Sequence, residues 1–427
     1  MLVPAATAPL TPLTPFASAN PHALATILEA SETRSIIASS DIFDISGIKL
    51  WARDQPVSSA LQRKLLDRQL RNPLETCLRA EDGVTALTLS EGTQALLERK
   101  SPLAAVLRPH AGRLLHEIPH LPLHSVVQLL LTAGQASRPE SFDHAVQAMA
   151  LAGGLMLAHG GSTAELRVAM LSGLVHDLGE MYIDPRFGEA DADRTLDFMS
   201  YQQLVVHPHV GRLLISQLTN YPPALARAVA EHHERLDGSG YPHSLQRDAV
   251  SPLGRLLAVV EGALGALRGD HPQLSRMSVA LRVVPGEFDL SWVGRIADAA
   301  LAQPAQRPTL EAGEVQSRLA WLDAALQSAQ DSAEALASEA TLPGLQDAVA
   351  LALHLLGRLR TGWYASGLWS NEAVSAQDAA EVESVEDELF FRLRSIERAT
   401  RLRAGKLPPP QAQQLNAFCD GLNAVSR

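Results

Sequence analysis

Residues that could bind metal ions are concentrated in the middle of the chain. They are Glu140, His144, His176, Asp177, His207, His232, His233 and Glu261. Glu140 and His144 are four residues apart, so they share one face if this segment is helical. Neighbouring residues of a helix point about 100° apart, so the pairs His176-Asp177 and His232-His233 suit two adjacent ions better than a single chelate.

The chemical types in this set restrict the metal and the reaction. Imidazole and carboxylate groups without thiolates favour iron, manganese, zinc or nickel over a structural zinc site of the cysteine type. Two ions about 3.5–4 Å apart can polarise a phosphoryl oxygen and generate a hydroxide nucleophile between them. Each pair alone is common in ordinary helical proteins, but the whole collection in one segment suggests hydrolysis of a phosphoester.

Helices are predicted to position these side chains. Ser162 or Thr163 can cap a helix that runs into the His176-Asp177 pair, and Gly179 is expected to be its C-cap glycine. The next helix is predicted to begin at His207, because Pro208 then occupies the first turn, where its missing N–H has no cost. A glycine-rich turn, residues 237–242, follows the helix that carries the His-His pair.

The composition excludes several classes of protein. The chain has 427 residues, of which 46% are hydrophobic and 19% charged, a balance typical of globular domains. Its formal net charge of −11 argues against a nucleic-acid polymer as partner. Cys77 and Cys419 cannot build a disulfide framework, and no apolar run approaches the ~20 residues that span a bilayer. We therefore expect a cytoplasmic protein without a membrane span.

Several motifs resemble the HD-GYP domain, a subgroup of the HD metal-dependent phosphohydrolases. They are HDLGE at 176–180, HPHVG at 207–211, HHERLDGSGYP at 232–242 and GEFD at 286–289. The resemblance extends over about residues 121–302. The eleven-residue GYP motif is specific, so this segment is identified as a member of that group.

The resemblance implies an all-α domain that hydrolyses cyclic di-GMP to pGpG, and in some members to GMP, with two or three divalent ions, most often iron or manganese. Positions that match metal ligands are Glu140, His144, His176, Asp177, His207, His232, His233 and Glu261. Asp177 would bridge two ions and act with His176 in catalysis. Positions expected around the substrate are Arg186, Arg235, Asp237, Gly240, Tyr241 and Pro242.

Three features depart from the family pattern: the residue at 180, the segment that carries the last ligand, and the RPY segment. All three concern the substrate side or the last ligand. Glu180 stands where the family has a lysine that meets a substrate phosphate, and a carboxylate there repels phosphate unless Arg186 or Arg235 compensates. Glu261 replaces the usual aspartate ligand, and Gly265 replaces a second aspartate. The basic RPY segment is absent downstream. The metal ligands are thus nearly complete, whereas the phosphate contacts are altered.

The expected architecture is all-α, with an HD-type helical core, a small α+β N-terminal segment and a helical C-terminal extension. The predicted divisions are a disordered lead at 1–20, which lacks the basic region of a signal peptide, an accessory domain at 21–120, an HD-GYP domain at 121–305 and the extension at 306–427. The extension is expected to offer a surface to a protein partner.

The leading functional hypothesis is metal-dependent hydrolysis of cyclic di-GMP by a metal-bound hydroxide. The altered phosphate contacts motivate an alternative, a degenerate HD-GYP protein that binds nucleotide or partners as a signalling scaffold without turnover. A third hypothesis keeps hydrolysis but assigns another phosphoester or nucleotide as the substrate.

Overall fold

Helices make up most of the chain, and the strands of the described residues lie between Ile36 and Ala80. The computed structural model describes residues 16–188, 198–268, 272–301, 312–365, 376–405 and 407–425. The expected mostly helical class, with a small α+β N-terminal part and a helical C-terminal part, is confirmed. Among the described residues, none of the helices combines the length and the apolar character needed to cross a membrane.

The N-terminal part combines short helices with two small antiparallel sheets. Its helices are α1 (Pro21–Ala30), α2 (Ser59–Leu65), α3 (Ala86–Glu98), α4 (Pro102–Leu107) and α5 (Ala111–Glu117). Its strands are β1 (Ile36–Ala38), β2 (Ile42–Phe43), β3 (Lys49–Trp51) and β4 (Leu78–Ala80). Strand β1 pairs with β4 and β2 pairs with β3, so each sheet has only two strands.

The central part is a set of helices whose ends carry the candidate ligands. They are α6 (Ser125–Ser137), α7 (Pro139–His159), α8 (Thr163–Val175), α9 (Phe198–Leu204), α10 (His207–Leu218), α11 (Pro223–Glu231), α12 (Pro252–Gly265), α13 (Leu274–Ala280) and α14 (Leu290–Leu301). Helix α8 begins with a capping box, because Ser162 and Glu165 bind each other's backbone N–H. Helix α10 begins at His207, as predicted.

One apolar core joins the N-terminal and central parts. Its buried residues run from Phe16 to Ile296 without a division at residue 120. Tyr182 fixes the contact between the parts, because its hydroxyl donates to Glu75 Oε1 at 2.8 Å and its ring meets Phe16 edge-on. Asn20 Nδ2 also donates to the Tyr182 carbonyl oxygen. Residues 1–15 of the expected lead lie outside the described residues, whereas Phe16 is buried.

The C-terminal part consists of helices around a second core, which also includes Val279, Val283 and Val284 of the central part. The helices are α15 (Ala312–Glu339), α16 (Pro343–Ala365), α17 (Ala376–Ala404) and α18 (Pro409–Val425). Helix α17 joins them to the central part, since Arg392 Nη2 donates to the Ala280 carbonyl oxygen and Arg276 pairs with Asp387 at 2.9 Å. The boundary predicted at residue 305 falls among undescribed residues.

Gly179 differs from its predicted role. Helix α8 already ends at Val175, and Gly179 lies in a 3-10 turn over Leu178–Tyr182 without a positive φ. A β-carbon at this position would lie 2.1 Å from the His207 carbonyl oxygen and 2.8 Å from the Gly211 nitrogen. The prediction of a C-cap glycine was therefore wrong, and the glycine instead permits close backbone approach to α10.

Candidate metal centre

The candidate ligands come together because five helices pack around one place, some with a ligand inside the helix and some with a ligand at the helix end. His144 lies on α7 and Glu261 on α12, whereas His207 is the first residue of α10. His176 and His232 are the C-caps of α8 and α11. Asp177 directly follows His176, and His233 directly follows His232. Sequence-distant residues thus converge inside an otherwise apolar interior.

The first ligand group consists of His144, His176, Asp177 and Glu261. Glu261 Oε2 lies 3.1 Å from His144 Nε2 and 3.3 Å from His176 Nε2. Asp177 Oδ2 lies 3.3 Å and 3.1 Å from the same two nitrogens. One atom from each of the four residues lies within 4.8 Å of the others, so a single cation could contact them all.

The second ligand group consists of Asp177, His207, His232 and His233. Asp177 Oδ1 lies 3.5 Å from His207 Nε2 and 3.2 Å from His232 Nε2. Asp177 therefore belongs to both groups, with a different oxygen towards each. This arrangement allows a carboxylate to bridge two neighbouring cations.

The hydrogen bonds of the second group fit a cation. His207 Nδ1–H donates to the Leu204 carbonyl oxygen at 2.8 Å, and His232 Nδ1–H donates to that of Val229 at 2.6 Å. In the neutral rings each Nε2 then carries a lone pair, yet these two nitrogens lie only 3.1 Å apart. Asp177 Oδ1 is buried and accepts no well-oriented hydrogen bond from the described residues. A bound cation would satisfy all three acceptors.

The pKa values of the histidines differ between the two ligand groups. Burial lowers the pKa of His232 to about 4, so this ring is neutral at pH 7. Burial also opposes a charge on His144, but Glu261 and Asp177 together outweigh it and raise its pKa to about 9. A cation that enters the first ligand group must therefore replace a proton, which favours loading at higher pH.

Glu140 does not join either group. It is exposed in the first turn of α7, one turn before His144. The shared helix face predicted from the spacing is present, but Glu140 is absent from the cation-sized clusters among the described residues. A third ion there remains a prediction that depends on this carboxylate.

The GYP loop packs directly on the second ligand group. The Tyr241 ring stacks on His233 at 4.5 Å between centroids and 18° between planes, and Tyr241 N–H donates to the His233 carbonyl oxygen. Asp237 Oδ1 accepts from the backbone and hydroxyl of Ser239, which shapes the turn. Gly240 is sterically required, since a β-carbon would lie 2.4 Å from Arg235 N.

The two arginines predicted to bind the substrate form ion pairs with carboxylates of the protein. Arg186 is exposed and forms an ion pair with Asp184 at 2.7 Å. Arg235 is largely buried, lies over the Phe288 ring and pairs with Glu287 at 3.6 Å. Pro242, which follows a cis peptide bond with Tyr241, is half-buried beside this loop.

Glu180 occupies an interior position close to a cation from another helix. Its side chain is buried, and its charge acts on Arg138, whose pKa is lowered chiefly by burial. Arg138 also donates to Thr26 in α1. The residue that replaces the family lysine thus acts electrostatically on an arginine that contacts the N-terminal part.

Arg268 is a site residue that the sequence reasoning did not identify. Its Nη2 lies 3.1 Å from Glu261 Oε1, the oxygen that faces away from the two histidines. Helix α12 ends at Gly265, so the helical period could not place Arg268 beside Glu261. The arginine orients a ligand. Burial raises the pKa of Glu261, but His144 and His176, with a smaller effect of Arg268, hold it well below its usual range.

Replacing Arg268 with Gln is expected to weaken metal binding at the first ligand group by about 10–100-fold, because Glu261 loses the donor that orients it. Competition with a chromogenic chelator measures this affinity. Arg282→Gln is the matched control, since Arg282 is exposed and bonds only its own helix turn at Ser278. Equal metal affinity in both variants would exclude the orienting role.

Comparison with known proteins agrees with this geometry. The HD domain family profile matches residues 110–284. Similar curated proteins include a cyclic di-GMP phosphodiesterase of Pseudomonas aeruginosa, 26% identical over 51% of this chain and 50% of the relative. The 3′3′-cGAMP-specific phosphodiesterase 1 of Vibrio cholerae is 24% identical over 44% of each chain. The cyclic di-GMP phosphodiesterase response regulator RpfG of Xanthomonas campestris is 30% identical over 34% of this chain and 38% of the relative.

The chain spans half or less of the length of these three relatives. No solved structure gives a significant match. The matched segment 110–284 nevertheless contains every member of both ligand groups. The protein is therefore an HD domain protein that is distantly homologous to the HD-GYP phosphodiesterases of cyclic dinucleotides.

Proposed function

We propose that this chain is a metal-dependent phosphodiesterase that hydrolyses a cyclic dinucleotide, with cyclic di-GMP as the leading substrate. The observation that carries the proposal is the pair of ligand groups that share Asp177. Two adjacent cation sites joined by one carboxylate suit in-line displacement at phosphorus. The imidazole and carboxylate ligands suit iron, manganese, zinc or nickel, and iron and manganese are proposed because the HD-GYP resemblance implies them.

The protein's own residues have separate tasks in this proposal. The chemistry that bound divalent ions supply is activation of water and neutralisation of charge on phosphoryl oxygens. Asp177 holds the two groups together, and His176 is oriented by the bond from its Nδ1–H to the Gly173 carbonyl oxygen at 2.7 Å. Tyr241 covers His233 and restricts access of solvent from that side.

The choice of substrate class rests on two kinds of support. The curated relatives are phosphodiesterases of cyclic di-GMP or of 3′3′-cGAMP. The GYP loop lies against the second ligand group, where half-buried Tyr241 offers an aromatic edge and Pro242 an apolar surface. Both side chains suit a ligand that carries flat bases and phosphates.

The test is turnover by protein purified without oxygen and loaded with iron(II) or manganese(II). Cyclic di-GMP, 3′3′-cGAMP and pGpG are incubated separately, and products are resolved by chromatography. We expect cleavage of cyclic di-GMP that disappears after chelation and returns when metal is restored. Protein shown to hold its metals but inactive on all three compounds would contradict the proposal.

The buried position of Glu180 favours one alternative function. The lysine expected to meet phosphate is replaced by a carboxylate that is turned into the protein. A scaffold that binds nucleotide without hydrolysis would tolerate this loss. Nucleotide binding measured by calorimetry, together with absence of turnover in the same metal-loaded sample, would select this alternative.

A further inference from the structure

Binding of substrate phosphates normally needs cations that are not already held by carboxylates of the protein. Three arginines near the ligand groups already have carboxylate partners: Arg186 with Asp184, Arg235 with Glu287 and Arg268 with Glu261. Glu180 replaces the lysine of the family pattern. Phosphate recognition normally depends on charge-assisted hydrogen bonds from arginine or lysine. None of these three arginines is thus free of a carboxylate, and another element can supply the cations.

Helix α17 of the C-terminal part supplies a suitable pair. Arg394 and Arg398 are four residues apart and share a helix face. Both are half-buried, and among the described residues neither has a carboxylate within ion-pair distance. Burial, followed by the charge of Arg398, lowers the pKa of Arg394, although Asp387 acts in the opposite direction. A bound anion would relieve this repulsion.

Aromatic contacts connect this pair to the metal centre. The Arg398 guanidinium lies 4.9 Å from the centre of the Tyr201 ring on α9. Tyr201 meets Tyr241 edge-on at 5.8 Å, and Tyr241 stacks on the ligand His233 at 4.5 Å. Leu402, one turn further along α17, packs against the apolar cluster that contains Tyr201. Helix α17 thus lies beside the GYP loop.

We propose that Arg394 and Arg398 form an anion site beside the GYP loop that binds a phosphate of the nucleotide substrate. This inference rests on the proposed phosphodiesterase function and extends it, because the C-terminal part then completes the substrate site. The arginine pair takes over the charge that the lysine at the Glu180 position provides in the family pattern. The ligand class is a nucleotide phosphate mono- or diester.

The kinetic test compares Arg394→Gln, Arg398→Gln and the double variant on metal-loaded full-length protein. Loss of one charge-assisted contact is expected to raise the KM for cyclic di-GMP about tenfold, with kcat changed by less than about threefold. The double variant should raise KM about 100-fold. Arg398→Lys should retain most of the affinity, because lysine keeps the charge above Tyr201.

Arg403→Gln is the matched control, because Arg403 lies on the same helix but is exposed. Its KM should equal that of the wild type. Metal content and melting temperature are measured for every variant. Lower stability in the double variant with an unchanged KM would show that the arginines only support packing, and it would overturn the inference while leaving the phosphodiesterase proposal intact.

A second experiment does not depend on turnover. Calorimetry with GMP on the same metal-loaded proteins reports phosphate binding directly. One outcome separates the two proposals. If no cyclic dinucleotide is hydrolysed, but GMP binding falls at least tenfold in the Arg394 and Arg398 variants and not in Arg403→Gln, the anion site is supported and the proposed function fails. Equal GMP binding by wild type and double variant, or no binding by the wild type, would overturn the anion site.

Discussion

Replacing Asp177 with Ala is expected to empty both ligand groups and to lower turnover by about 10⁴-fold. Asp177 Oδ2 lies within 3.3 Å of two histidine nitrogens in the first group, and Oδ1 lies within 3.5 Å of two in the second. Asp177 is the carboxylate of the second group, whose other members are three histidines, and it shares the negative charge of the first group with Glu261. Elemental analysis of purified protein, together with turnover, measures both effects.

Asp143→Ala is the matched control for this substitution. Asp143 is next to the ligand His144, but its carboxylate faces the surface and pairs with Arg99 at 3.3 Å. A surface ion pair contributes only about 0–1 kcal/mol, so metal content and turnover should be unchanged. If Asp177→Ala protein kept two ions per chain, the shared carboxylate would not be the centre of the site.

Replacing Gly179 with Ala is expected to lower the free energy of unfolding by about 3 kcal/mol. The new β-carbon would lie 2.1 Å from the His207 carbonyl oxygen, and a backbone group cannot rotate out of the way as a side chain can. Helix α10 must therefore move away from the turn that carries Asp177. We also expect the second ligand group to lose its ion, because His207 is the first residue of α10.

Urea unfolding and metal analysis of the Gly179→Ala protein test this prediction. Gly265→Ala is the control, since no atom lies within 4 Å of a β-carbon at that helical position. Alanine there should be neutral or stabilise the protein by up to about 1 kcal/mol. Unchanged stability and metal content in Gly179→Ala would mean that close contact between the turn and α10 is not required.

Short-range sequence signals were enough to predict several helix starts and the identity of most candidate ligands. Ser162 and Glu165 form a capping box, and Pro208 marks the start of α10, because such signals act between residues a few positions apart. The His-Asp and His-His pairs were visible for the same reason, and their adjacency indicated two ion sites. Two ligand groups are present in the structure.

The tertiary structure, in contrast, sets which residues lie close enough to share an ion. It places Glu261 of α12 beside His144 of α7 and leaves Glu140 at the surface. It also places Arg268 next to the Glu261 oxygen that faces away from the histidines. These outcomes depend on helix packing between residues far apart in sequence, which spacing along one helix does not encode.

The same reason applies to the substrate side of the site. Glu180 is buried near Arg138, whereas Arg398 of α17 lies over Tyr201, and no local pattern connects these residues. The sequence identified a missing lysine in one motif. Because any element that packs against a site can supply a charge to it, only the packing of the C-terminal part could indicate where the replacement cations lie.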